Sequence, residues 1–327
     1  EAMRAWHAVA GGPPCPVTVV VEGEEEVGSP NLDAFLRDAA AELAADVAVI
    51  SDTNMWDIGT PALSTRLRGL CYVQLDIQAA SRDLHSGMYG GSALNPINLI
   101  TRILGELHDA QGRIRIPGFY VGVPELAAEQ RAAWQSLGFS EHDFLGEIGL
   151  SVPAGEKDRG ALERLWARPT ADINGIWGGY TGVGSKTVIA AEAHAKISFR
   201  LVPGQDPQTV IEGFRAFVAA RLPADAKAEL QVFGASPGIE VPADSRFIRA
   251  AQAALAEEYG RPAALIGCGG SIPVVSSLKT LLGLDTVLMG FGLEDDQVHS
   301  PDEKFDLRCL HQGARSHARL LAKLAAG

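Results

Sequence analysis

The 327-residue sequence predicts an α/β domain interrupted by an inserted α+β domain. Three features of its texture carry that prediction. Toward both ends, short and nearly continuous apolar runs alternate with helical spacings, the pattern of sheets buried on both faces. Between them the chain turns to period-two alternation, as half-solvated antiparallel strands do. The acidic and histidine-bearing loops of the flanking regions follow strand ends, where open α/β sheets gather their ligand sites.

The elements follow in order. Residues 1–10 read as the end of a helix, leading through Gly11-Gly12-Pro13-Pro14 toward a strand. The β-branched run Pro16-Val17-Thr18-Val19-Val20-Val21 predicts a strand buried on both faces. Asn31 to Ala45 has helical spacing at Leu32, Phe35, Leu36 and Leu43, with Ser29 or Asn31 as its cap. Asp46 to Ile50 predicts a second buried strand. From Leu70 to Ala79 apolar residues alternate with polar ones, and Pro96 to His108 is an amphipathic helix. A loop-rich, charged stretch covers Pro117 to Thr170. Ala193, Ala195, Ile197, Phe199 and Leu201 then alternate along a strand, Pro207 to Leu222 is helical, and Ala228 to Phe233 is a strand. Helix 244–259, strand 263–266, helix 273–283, strand 285–290 and a helix from Leu307 to Ala325 return to α/β texture. The expected division is therefore residues 1–62 with 241–327 as one domain, and 63–240 as the insertion.

Composition excludes several classes of partner. A net charge of −12 with no basic run argues against nucleic acid and anionic membranes. No apolar run reaches the roughly 18 residues of a membrane span. Cys15, Cys71, Cys268 and Cys309 form no CxxC pair, which fits a reducing compartment and leads us to expect a cytoplasmic protein.

The chemistry concentrates in a few segments. Glu22-Gly23-Glu24-Glu25-Glu26 packs like charges after a predicted strand, a costly arrangement that a divalent cation relieves and a solvated helix entry would tolerate. Asp52 sits just past the next strand, where turn or cap roles are common. His299, in Asp295-Asp296-Gln297-Val298-His299-Ser300, follows a third strand. Together these residues make an oxygen and nitrogen donor set suited to zinc or manganese. Gly179 to Thr187 looks like a phosphate-binding loop, but Ser185 separates Gly184 from Lys186 and the following residues alternate like a strand. It is not a nucleotide site. His7, His108, His142, His194, His311 and His317 have no evident acidic partner set and are read as packing or surface residues.

The order Glu-Gly-x-Glu-Glu-x-Gly-Ser, Ser-Asp, Asp-Leu-His-Ser-Gly, Arg-Leu-Val-Pro, Gly-Gly-Ser-Ile-Pro and His-Ser, spread over residues 22 to 300, resembles the M20 peptidases, and the carnosine-type dipeptidases in particular. The resemblance implies a zinc-peptidase-like catalytic domain carrying two divalent metal ions, zinc or manganese, with an inserted lid that forms a homodimer. It implies that Glu25 is the general base for a water activated at a two-metal site. Glu26 and His299 would be ligands of one metal and Asp52 of the other. His85 of the lid would reach the partner subunit's site and polarise the scissile carbonyl. Thr187, Arg200 and Ser271 would hold the substrate, with Arg200 on its free carboxylate, a pairing that suits the planar guanidinium fork.

Two departures accompany the resemblance. M20 enzymes bring a His-x-Asp motif and a bridging Asp from a segment ahead of the glutamate pair; only 21 residues precede Glu22, and none supplies either. The expectation is a chain lacking the N-terminal part of the catalytic domain, with metals absent or partial. Gly267-Cys268 also stands where the dipeptidases carry an Arg and an acidic residue, so substrate preference stays open. The leading reading is hydrolysis of a dipeptide or related amide bearing a free carboxylate. The alternatives are an N-acyl-amino-acid deacylase or desuccinylase of the same family, and a non-catalytic dimeric relative that binds a ligand.

Overall fold

The computed structural model describes residues 1–326, in two compact units: residues 1–67 with 239–326, and Arg68–Gly238. The chain runs through α1 (Ala2–Ala10), α2 (Leu32–Asp38), β1 (Val47–Ile50) and β2 (Ala62–Leu67) before entering the second unit. That unit holds β3 (Gly69–Gln78), β4 (Leu84–His85), α3 (Ser86–Tyr89), α4 (Pro96–Gly105), α5 (Ala128–Gln135), α6 (Glu141–Glu147), α7 (Ala161–Trp166), β5 (Thr170–Gly178), β6 (Val188–Ile189), β7 (Glu192–Leu201), α8 (Pro207–Ala219) and β8 (Lys227–Ser236). The first unit then closes with β9 (Ile239–Glu240), α9 (Arg246–Tyr259), β10 (Ala264–Cys268), α10 (Pro273–Leu282), β11 (Asp285–Leu288) and α11 (Leu307–Ala326). The architecture is mixed α/β, as the sequence texture implies.

The first unit is a mixed sheet in the order β1-β11-β2-β10, with β9 paired to β2. β1 runs parallel to β11 and β10 parallel to β2, while β11 meets β2 antiparallel through Leu288 and Ser64. Leu63, Val287, Met289, Ile248, Leu255, Cys309 and Leu320 form its main core. Burying such side chains contributes about 1.5–3 kcal/mol each. Ile50, Leu67, Cys268, Ile272 and Leu288 make a second cluster, so the carboxyl ends of β1, β2, β10 and β11 meet.

Three expectations need correction here. Pro16–Val21 is not a strand: it forms no regular element, and Val19 and Val21 are 67% and 90% exposed. A β-branched run gains strand structure from pairing and burial rather than from backbone preference, and none of the described strands pairs with it. β1 is an edge strand with Val49 exposed, not buried on both faces. α2 stops at Asp38 and gives way to turns, although Leu43 still joins Leu32 and Leu36 against Leu278 and Leu281 of α10. Asn31 is the cap residue, without a side-chain cap bond. β2, for its part, escapes the pattern because Ser64, Thr65 and Arg66 are polar yet buried. The Arg66 guanidinium pairs with Glu240.

The second unit is an antiparallel sheet, β5-β7-β3-β8. Burial alternates strictly along β3 and β7, as period two requires. The inward set, Cys71, Val73, Leu75 and Ile77 with Ala195, Ile197, Phe199 and Leu201, packs with Leu99, Ile100 and Ile103 of α4 and Ile211, Phe214 and Phe217 of α8. Asn95 and Asp206 cap these helices by accepting from Ile97 N and Thr209 N, and Pro96 and Pro207 follow in the first turn. The stretch read as loop-rich contains α5, α6 and α7, tied by charge pairs. Arg168 and Glu156 form a buried bidentate pair at 2.7 and 3.1 Å, and Arg159 joins Glu163 at 2.9 Å. Among the described residues, no helix is long and apolar enough to cross a membrane.

Candidate active site

The loop that carries Glu25 and Glu26 is folded by its own carboxylates. Glu22 accepts from Glu24 N at 2.8 Å, and Glu24 accepts from Asn31 Nδ2 at 2.9 and 3.0 Å. A short 3-10 turn, Glu25–Val27, follows, closed by Gly28 at φ 88°. With Glu22 and Glu24 occupied locally, Glu25 and Glu26 remain to meet the other acidic loops. Glu26 Oε1 lies 3.0 Å from His299 Nε2. His299 belongs to a loop in which Gln297, His299 and Asp302 all have positive φ, an uncommon backbone for residues with a Cβ. Asp296 holds that loop in shape: its buried carboxylate accepts from Leu293 N at 2.7 Å and from Lys304 Nζ at 3.0 Å.

The electrostatics fit this assembly. Burial first, then the charges of Glu26, Asp52 and Glu22, push the Glu25 carboxyl above the usual carboxylate range, with His299 opposing them. The hydrogen bond to Glu26 raises the His299 imidazole. Glu26 and His299 are in contact, and Glu25 lies within electrostatic reach of both and of Asp52. Ser271, in the turn between β10 and α10, flanks the strand ends that lead into these loops. Cys268 points back into its own turn, where its sulfur accepts from Gly270 N at 3.4 Å.

In the second unit, β4 pairs with β6 in the register Leu84↔Ile189 and His85↔Val188. Ser86 N donates to Thr187 O at 3.0 Å, and Thr187 Oγ1 lies 3.5 Å from His85 Nε2. His85 and Thr187 are therefore neighbours. Arg200 is not with them. It lies opposite Leu70 and Thr170, whereas the β4–β6 pair joins the other end of the β3–β7 ladder through Ala79 N to Ala191 O at 2.9 Å and Ala191 N to Asp83 Oδ1 at 2.9 Å.

The donor chemistry of Glu26 and His299, with Asp52 within electrostatic reach of Glu25, suits a divalent ion of the zinc or manganese type. These residues fit as part of a shell rather than a whole one. Among the described residues, no group of three or more such side chains is close enough to hold an ion.

Sequence reading missed several supporting residues. Lys304 ties back to Asp296 across the His299 loop, a pairing that spacing alone does not signal. His194, read as having no acidic partner, lies 2.5 Å from Asp76 and stacks on Trp177. His317, read as packing, lies 2.5 Å from Ser51 Oγ, beside Asp52, and against the Phe291 ring. Burial pushes its imidazole down to about 4 from 6.5. The unfolded chain then binds a proton that the folded chain refuses between these two values. Stability is complete above about pH 6.5 and declines as pH falls toward 4, by an amount on the order of 1–3 kcal/mol. Urea midpoints at pH 7 and pH 5 should show this slope, and His317→Gln should flatten it.

Several known proteins resemble this chain over nearly its whole length. A peptidase dimerisation domain of the M20 type matches residues 65–226. The Cys-Gly metallodipeptidase dug1 of Schizosaccharomyces pombe is 30% identical over 318 residues, covering 95% of this chain and 67% of that protein. The Beta-Ala-His dipeptidase of Rattus norvegicus is 27% identical over 332 residues, covering 99% of this chain and 67% of that protein. Among solved structures, the dipeptidase Dug1p from Saccharomyces cerevisiae matches with a TM-score of 0.84 and 28% identity, over 99% of this chain and 69% of that one. The chain belongs to the M20 metallopeptidases, in their dipeptidase branch. It spans about two thirds of the length of these curated relatives, 67% of each.

Proposed function

We propose that this chain carries the general base and part of the metal site of a metal-dependent hydrolase. Its substrate would be a dipeptide or related amide with a free carboxylate, of the kind named in the Cys-Gly and Beta-Ala-His relatives. The observation that carries the reading is the Glu26–His299 contact, with the Glu25 carboxyl within electrostatic reach of both and of Asp52. Glu26 and His299 would hold one of two divalent ions and Asp52 the other, each with further donors. Bound there, such ions supply Lewis-acid polarisation of the carbonyl and lower the pKa of water.

The chain's own residues do the rest. Glu25 takes a proton from the attacking water as its oxygen bonds to the carbonyl carbon. It returns that proton to the leaving nitrogen as the C–N bond breaks, yielding a carboxylic acid and an amine. A carboxyl held above its usual range is suited to this exchange. His85 donates a hydrogen bond to the developing oxyanion, Arg200 binds the free carboxylate, and Thr187 and Ser271 position the substrate.

The geometry of the second unit supports a homodimeric site. The ladder from Glu192 to Arg200 spans roughly 27 Å at about 3.4 Å per residue. An extended dipeptide reaches only about 7 Å. His85 and Arg200 of one subunit do not grip the same dipeptide, so a site that uses both draws one from each subunit. Residues 63–240 would form the dimerising lid, and the protein would work in the cytoplasm. Two measurements test this reading. The metal-loaded enzyme should carry about two zinc or manganese ions per subunit and lose dipeptide hydrolysis to a chelator; hydrolysis indifferent to chelation would sink it. His85→Ala and Glu25→Gln, each inactive, should recover activity when mixed and allowed to exchange subunits, because one site in each hybrid is whole. No recovery in verified hybrids would put His85 in its own subunit's site or outside the chemistry.

A further inference from the structure

The surroundings of His85 hold more than its reach toward a substrate. Gly87 N donates to His85 Nδ1 at 3.0 Å. A backbone N–H only donates, so Nδ1 presents its lone pair, and the single proton of the neutral ring sits on Nε2. Nε2 in turn faces Thr187 Oγ1 at 3.5 Å, an oxygen able to accept. Both partners are fixed by backbone: Thr187 O receives Ser86 N at 3.0 Å, and Gly87 lies in the first turn of α3, whose N-cap is His85.

Gly87 has a second property. A Cβ built on it would lie 3.0 Å from His85 Cε1 and 3.2 Å from Nδ1, closer than neighbours tolerate without moving. Its backbone is helical and has no positive φ, so nothing in the chain's conformation demands glycine there. Within a helix, glycine costs about 1 kcal/mol against alanine. What a side chain at this position would press upon is the imidazole.

We propose that Gly87 is a positioning residue for catalysis, whose N–H and missing side chain together lock His85 as an Nε2–H donor aimed at the substrate carbonyl. This deepens the reading of His85 as oxyanion donor and rests on it. With the proton on Nδ1 instead, Nε2 would turn a lone pair toward a developing negative charge, and the interaction would change sign. The tautomer is therefore as necessary as the ring.

The test uses the dimeric, metal-loaded enzyme. Nitrogen-15 NMR of its histidines, with His85 assigned by its absence in His85→Gln, should show Nε2 protonated and Nδ1 bare. Gly87→Ala should keep the dimer and its metal, blur that tautomer signature, and lower kcat by roughly 10²-fold with KM little changed, as loss of an oxyanion donor does. The double variant His85→Ala/Gly87→Ala should be no slower than His85→Ala alone, since both changes remove the same interaction. An Nδ1–H tautomer in the wild type, wild-type kcat in Gly87→Ala, or a double variant slower by the product of the two single effects would each overturn the proposal while leaving His85 as a catalytic residue. Full activity in His85→Ala would overturn the underlying reading and this one together.

Discussion

Glu25→Gln is expected to lower kcat by about 10²–10⁴-fold, the usual worth of a positioned general base, while leaving metal content unchanged. Glutamine matches glutamate in shape but takes no proton at working pH, so the water keeps its hydrogen and the leaving nitrogen receives none. Folding should not suffer. The carboxyl of Glu25 is raised by burial and by Glu26, Asp52 and Glu22, and a neutral amide in its place relieves that repulsion. The ions should stay because the residues read as ligands, Glu26, Asp52 and His299, are untouched. Elemental analysis beside steady-state kinetics separates the possibilities. Metal lost together with activity would make Glu25 a ligand, and Glu26→Gln would then be the variant that keeps its metal.

The largest stability effect is expected far from this site. Glu156 and Arg168 have side chains only 4% exposed and meet through two hydrogen bonds. The guanidinium also lies over the Tyr120 ring at 5.4 Å. Glu156→Ala removes both hydrogen-bonded carboxylate oxygens and leaves Arg168 only the longer, exposed contact to Glu125 at 3.9 Å, a change that approaches the roughly 3–5 kcal/mol lost when a buried pair is broken from one side. Urea unfolding followed by tryptophan fluorescence suits the measurement, because Trp134 and Trp166 pack edge to face in the same unit. Replacing both partners, as Glu156→Leu with Arg168→Met, should return most of the loss, since no orphaned charge remains. A single variant as stable as the wild type would show that Glu125 or water takes over the charge of Arg168.

How far the sequence reveals this molecule depends on which interactions are local. β3 and β7 are legible because burial on one face writes itself as alternation, and α4 and α8 because their caps and prolines stand at the first turn. Pro16–Val21 misleads for the converse reason: six residues with strand composition carry no information about whether a neighbour pairs with them. β2 hides because its burial rests on pairing with β9 and β10 and on the Arg66–Glu240 contact, none of them nearby in sequence. Within the site, acidic clusters after predicted strands point to Glu25, Glu26 and Asp52, and family resemblance alone supplies roles for His85 and Arg200. The hydrogen bond from Gly87, the Asp296–Lys304 clasp and the Ser51–His317 contact belong to tertiary geometry, which spacing does not encode.

The route by which the chain enters and leaves its second unit bears on how such a protein is assembled. Leu67 and Ile239 are register partners in adjacent antiparallel strands, and a Cβ on Gly69 would lie 2.5 Å from Gly238 N. Entry and exit run side by side, about 5 Å apart as paired strands do. An exchangeable cassette has this form: residues 68–238 span no gap in the first unit, and a two-residue hairpin turn of the Asn-Gly kind would join the strands they separate. The junction itself is part of the first unit's packing, since Leu67 is buried and Ile239 packs against it, so an exchange that keeps these two residues keeps that contact.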